Sequence, residues 1–309
     1  MHTKKVLWFL ITALILGWLS LWLPTLFMGQ QDDIRPIVQL LGYVWSPALA
    51  VLFIQKIIFK ESLARYGWNR KYFSLRWIAL AVFSPILLCL ASLGIVLLMG
   101  NWLRVPGFGE VILNGQHTFE FFTANPAFQF VWNYFHIAIP GDVFGIIMTF
   151  LIVGILAGAT FGLLLTTGQE VGWRGFMLAE SRKLGFIGSN FVIGSLWGLW
   201  QIPLALYING SPILESGILM EFLALLGYSV ALSFPLSWLA VKTRSIYASA
   251  TFNAVMNNVG GLSLFFLYEG DPLLTSPTGL AGMLVLLLIT FLILRFDRKF
   301  VEDYPYHFF

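Results

Sequence analysis

The sequence predicts an all-α membrane protein, a bundle of about eight transmembrane helices with both termini in the cytoplasm. Three observations carry that prediction. Apolar side chains make up 58% of the 309 residues and charged ones only 11%, with a mean hydropathy of +0.82; a soluble globular domain is about 25% charged. Eight apolar runs approach the roughly 20 residues that cross a bilayer as a helix. Finally, the basic residues are distributed unevenly between the loops that join those runs.

The runs cover roughly residues 6–28, 37–59, 77–99, 143–165, 186–207, 219–241, 246–267 and 277–294. In hydrocarbon every backbone polar group must be satisfied within the segment, so apolar runs of this length read as helices. The first follows two lysines in "MHTKKVLWFLITALILGWLSLWLPTLFM", as a signal peptide would. It is too long for a signal h-region and no A-x-A site follows, so it reads as the first span. The eighth is short and is expected to begin at Pro277. The chain reads as one membrane domain over residues 1–309.

Orientation follows from the positive-inside rule. With a cytoplasmic N-terminus, and setting Arg174 aside, fifteen of the 18 Lys and Arg side chains fall on the cytoplasmic side; only Arg35 and Arg104 lie outside. An even number of spans then returns the C-terminus to the basic side. The largest outer loop, about 100–142, contains the aromatic stretch "TFEFFTANPAFQFVWNYFH", part of which is expected to lie in the interface plane. No basic run with interleaved aromatics indicates nucleic-acid binding, and the single cysteine, Cys89, reads as a packing residue. Gly154, Gly158 and Gly162 recur every four residues, as do Gly194 and Gly198, marking faces where helices pack closely.

Polar residues within the spans are few, and such residues are functional candidates because they are costly in lipid. The stretch "GQEVGWRGF" at 168–176 places Glu170 and Arg174 at i and i+4, where one helix face holds them as an ion pair. Gln169 points about 100° away from Glu170. The fifth run carries Gln201 in "SLWGLWQIPLAL", and the seventh carries Asn253 and Asn257 one turn apart in "ASATFNAVMNN", with Asn258 beside them. Taken singly, each amide reads as readily as interhelical glue. The Glu170–Arg174 pair alone reads equally as a structural clamp.

Together the three stretches resemble the CPBP family of intramembrane proteases, also called the CAAX prenyl protease or Abi family. The family's EExxxR motif, often "EEIGWRGF", stands here as "QEVGWRGF". Its aromatic-x3-His motif, as in "WALWHLPL", stands as "WGLWQIPL". Its HxxxN motif stands as "NAVMN". Order and spacing match over about residues 150–262. The resemblance implies a membrane core of about eight helices. It also implies a glutamate base at the position of Gln169. Two histidines at the positions of Gln201 and Asn253, and an asparagine at Asn257, would hold the water, the oxyanion or, on some accounts, a metal. Glu170 and Arg174 match the second glutamate and the arginine, and Trp173 stands in the "GWRGF" extension.

Three of those four chemical positions are changed. A carboxamide has no lone pair basic enough to take a proton near pH 7, so Gln169 cannot act as a general base. Gln and Asn are poorer metal ligands than carboxylate and imidazole, so no metal and no cofactor is expected. None of His2, His117, His136 and His307 lies in or beside the motifs. The replacements remain polar, able to donate and accept hydrogen bonds. That pattern implies a pseudoprotease with a polar pocket lined by Gln169, Gln201, Asn253 and Asn257. Besides the lipid bilayer, its partner would be a membrane protein, a peptide C-terminus or a lipidated tail. Alanine would be the commoner choice for inactivation by design, so the substitutions read as natural. The alternative is an active endopeptidase of the CAAX-processing or bacteriocin-immunity type with Glu170 as base. A transporter has less support, since no broken-helix pair occurs in matching halves. The "EVGWRGF" wording resembles bacterial members and points to a bacterial inner membrane, against the short sequon Asn209-Gly210-Ser211.

Overall fold

Apolar runs of this length leave the backbone no partner but itself, and the chain is helical almost throughout in a computed structural model that describes residues 3–29, 34–63, 66–67, 74–124, 142–209 and 218–306. Helix α1 spans Thr3–Phe27 and α2 spans Arg35–Phe53, continued by a π-helical turn at Ile54–Ile58. Helix α3 spans Leu75–Val96 with a π-helical end at Leu97–Trp102, and α4 spans Gly115–Ala124. Helix α5 (Val143–Ala157) runs through a π segment at Gly158–Gly162 into α6 (Leu163–Glu170). A second π segment at Val171–Met177 leads to the short α7 (Leu178–Ser181). Helices α8 (Gly185–Asn209), α9 (Ile218–Thr243) and α10 (Ile246–Val259) follow, then α11 (Pro272–Thr275), α12 (Leu280–Phe296) and α13 (Arg298–Asp303).

Among the described residues, six helical stretches are long and apolar enough to cross a membrane. One, Val143–Leu206, is 64 residues long and contains the predicted fourth and fifth spans. Gly185, at φ 74°, separates the two, and the Ser189 hydroxyl donates across the break to the Ser181 carbonyl over 2.8 Å. The predicted seventh span, 246–267, is not among the six. Its α-helix stops after 14 residues and tightens into a 3-10 segment at Gly260–Phe266. It is the least apolar of the predicted spans, and α10 sits in the centre of the bundle: Ala248, Ala250, Asn253, Ala254 and Val255 are all buried. The eighth begins as a continuous helix at Leu280, preceded by α11, rather than at Pro277.

At the end of the bundle that carries residues 100–115 and 260–279, two residue pairs form an antiparallel ladder, Glu110 with Tyr268 and Val111 with Leu267. This ladder is absent from the sequence prediction, and two residues per strand leave no periodicity to read. The stretch expected in the interface plane falls mostly outside the described residues, as does the sequon; its first part belongs to α4. The opposite end gathers the basic residues. Lys5 pairs with Glu61 at 2.5 Å, Lys242 pairs with Asp297 at 2.6 Å, and the Ile246 N–H donates to the Gly67 carbonyl. Cys89 is fully buried between helices, as a packing residue should be.

The glycine spacing marks the helix contacts. A Cβ on Gly158 would come within 2.9 Å of the Val255 backbone on α10, and one on Gly194 within 2.4 Å of Val230 on α9. Within the π segment, a Cβ on Gly172 would meet the Pro47 ring of α2 at 2.4 Å and Phe9 of α1 at 3.0 Å. Both obstacles are rigid and buried, so the Gly172 contact fixes how closely the motif approaches the first two helices. Gly172→Ala should therefore overpack this contact at a cost of about 1–3 kcal/mol, read as a lower unfolding temperature in mild detergent. Gly94→Ala, where a Cβ meets nothing within 4 Å, should leave it unchanged.

Candidate functional site

The motif stretch straddles the change from α-helix to π-helix at Val171. The sequence suggested a plain α-helical i, i+4 face; the wider turn still brings the pair together. Arg174 Nη1 lies 3.1 Å from Glu170 Oε1, and both side chains are fully buried. π-helical turns within α-helices often occur at functional sites. Here the turn packs Gly172 and Gly175 against other segments while Trp173 and Arg174 point into the bundle.

Around that pair the bundle supplies three further contacts. The Asn253 amide Nδ2 donates to the same Glu170 oxygen over 3.1 Å, joining α10 to the motif. The Arg174 guanidinium lies 4.2 Å from the Trp197 ring centroid, a cation–π contact from α8. The Trp197 indole N–H in turn donates to Gln169 Oε1 over 3.3 Å. Gln169, Glu170, Arg174 and Asn253 are thus all buried and all linked, with Trp197 touching both the acid's partner and the amide beside it.

A second layer is aromatic. Trp200 stacks on Tyr43 at 4.5 Å and 23°, and the Tyr43 hydroxyl donates to the Trp200 carbonyl. Trp173 packs edge-on against Phe9 at 5.4 Å and against Trp200 at 5.9 Å. Aromatic pairs of this kind add about 0.5–1.5 kcal/mol each beyond area burial. Several polar atoms inside the cluster make no hydrogen bond: Glu170 Oε2, Arg174 Nε and Nη2, and the indole nitrogens of Trp173 and Trp200.

The remaining two predicted positions lie differently. Gln201 is half-buried, and its amide donates to Ser229 Oγ of α9 over 2.9 Å rather than to any of the other three. Asn257 is exposed, one turn beyond the buried Asn253, so the two asparagines expected on a common face differ sharply in environment. Asn258 is half-buried and donates back to the Ala254 carbonyl. Tyr43 and Ser229 had no signal in the sequence: each meets its partner across a long separation that no local spacing reveals. Trp197 is the aromatic of the second motif, but its contact with Arg174 cannot be read from the pattern.

Residues 143–259 match the family model for type II CAAX prenyl endopeptidases, Rce1-like. Over that stretch, somewhat more than a third of the chain, the protein is similar to the CAAX protease family. The match runs from the start of α5 to the end of α10 and so includes all three motif stretches. No curated protein matches the chain. Together with the six apolar helical stretches, this similarity supports a multi-pass membrane protein.

The donor set does not fit a divalent metal. Its one carboxylate, Glu170, is bound to Arg174 and Asn253, and the other positions offer carboxamides. Among the described residues no three His, Cys, Asp or Glu side chains converge on a common point.

Removing one partner of a buried ion pair leaves an uncompensated charge, at a cost of about 3–5 kcal/mol. Arg174→Met should therefore destabilise the protein severely, read by thermal or denaturant unfolding in detergent. The double substitution Glu170→Gln with Arg174→Met removes both charges and should recover at least half of that loss. Equal instability of the single and double variants would contradict the pairing.

Proposed function

We propose that this chain is a pseudoprotease of the CAAX protease family: it binds a membrane partner, a peptide C-terminus or a lipidated tail without cutting it. The observation that carries the reading is the state of the two side chains available as base. Gln169, at the family's base position, is an amide that accepts from Trp197. Glu170 is fully buried and committed to Arg174 and Asn253. General acid–base catalysis is worth about 10²–10⁴-fold, and neither residue is placed to supply it. The exposed Asn257 and half-buried Gln201 give a partner polar, uncharged contacts beside the sealed cluster. We assign the protein to a bacterial inner membrane with both termini in the cytoplasm, on the charge asymmetry of the loops and the wording of the first motif.

The alternative is an active intramembrane endopeptidase with Glu170 as base. One observation favours it: Glu170 Oε2 makes no hydrogen bond. Using that oxygen would require the carboxylate to leave Arg174 or to act from within a fully buried pair.

The test is a pull-down from native membranes in mild detergent, comparing the chain with the triple variant Gln169→Glu, Gln201→His and Asn253→His. The expected result is a partner retained intact by the unaltered protein at every pH between about 5 and 8, the range in which histidine would titrate. Clipping of that partner by the unaltered protein would refute the proposal. A steep pH dependence would remove the uncharged amides Gln201 and Asn257 as its contacts. Clipping by the triple variant alone would support a retired protease and name its former substrate.

A further inference from the structure

Away from the motif cluster, a cavity of about 540 Å³ opens between the start of α3 and the end of α9. Arg76 and Lys242 stand among its lining residues, with Trp77, Trp238, Leu80 and Phe83 forming much of the wall. Four features of the surroundings specify what chemistry it suits.

The first is an unbalanced positive charge. Lys242 is neutralised by Asp297 at 2.6 Å. Arg76 is exposed and, among the described residues, makes no ion pair; its guanidinium only rests 6.0 Å from the Trp77 ring centroid. The second is rigidity. Trp77 meets Trp238 edge-to-face at 5.7 Å, and the Trp238 indole N–H donates to Asp297 Oδ2 over 2.9 Å, so the aromatic wall is pinned to the same carboxylate that holds Lys242. The third is the start of α3 beside Arg76, where the Ser74 side chain makes no capping hydrogen bond. Uncapped N–H groups at a helix start favour an anion. The fourth is an apolar track leading out of the cavity along α3. Leu80, Phe83, Leu87 and Leu90 recur at helical spacing, and each is exposed, from 39% at Leu80 to 63% at Leu87.

A cation at a bundle end, tryptophans at one level beside it and an exposed apolar stripe running toward the membrane centre match the two halves of a phospholipid. We infer that this cavity binds one anionic phospholipid. Its phosphate sits against Arg76 and the start of α3, and one acyl chain lies along Leu80, Phe83, Leu87 and Leu90. Basic pockets between helices commonly take lipid headgroups in this way. A soluble phosphate compound would have no use for the apolar track. A zwitterionic lipid would use the track but gain nothing net from Arg76.

The experiment is native mass spectrometry of the full chain released from mild detergent. Dioleoyl phosphatidylglycerol and dioleoyl phosphatidylcholine are supplied at equal concentration, so that only the headgroup charge differs. The expected result is one tightly retained lipid with a clear preference for phosphatidylglycerol. Arg76→Gln should reduce that preference about fivefold, the scale of one basic residue at a lipid surface. Arg298→Gln, an exposed arginine away from the cavity lining, should leave it unchanged. Leu80→Trp keeps the charges but fills the groove, and it should lower retention of both lipids. Equal retention of the two lipids by the unaltered protein would overturn the inference. So would full preference in folded Arg76→Gln, or undiminished retention in Leu80→Trp.

Discussion

The carboxylate of Glu170 and the guanidinium of Arg174 meet at 3.1 Å with no exposed surface, and the arrangement of the neighbouring helices answers to that pair. Charges taken out of water are costly, and their mutual attraction offsets that cost only when the surrounding geometry is good. The bundle supplies it from three directions: an amide from α10, an indole face from α8, and a π-helical turn that orients both partners. Gly172 lets α1 and α2 close over the outside of that turn. The same contacts that make the pair tolerable also hold Glu170 in place, which bears directly on whether it can do chemistry.

The sequence announced much of this fold because membrane burial leaves a strong signature. Six stretches were legible from length and apolarity, one of them containing two predicted spans, and the glycine repeats at 154–162 and 194–198 marked faces where helices do pack closely. What it left unread has two causes. The segment around Asn253 read as an ordinary span, yet it is a short central helix whose small and polar residues face other helices instead of lipid. The terminal ladder between residues 110–111 and 267–268 involves too few residues to leave a pattern.

The candidate site was legible in its residues but not in how they connect. Glu170 and Arg174 were identifiable as a pair from their spacing, and Gln169, Gln201, Asn253 and Asn257 from the motifs. Their division into a sealed group and an open group was not, because Asn253 and Asn257 stand one turn apart and differ only in what packs over them. Trp197, which binds the amide and the guanidinium together, was visible only as an aromatic at the expected place.

Whether Glu170 holds the bundle together or takes protons is the question on which the account turns. The most direct measurement is cleavage of a prenylated CAAX-type peptide by the purified protein and by Glu170→Gln, with thermal unfolding followed on the same samples. The account predicts no turnover by either protein and a lower unfolding temperature for Glu170→Gln. Turnover by the unaltered protein that disappears in a Glu170→Gln variant of unchanged stability would contradict it.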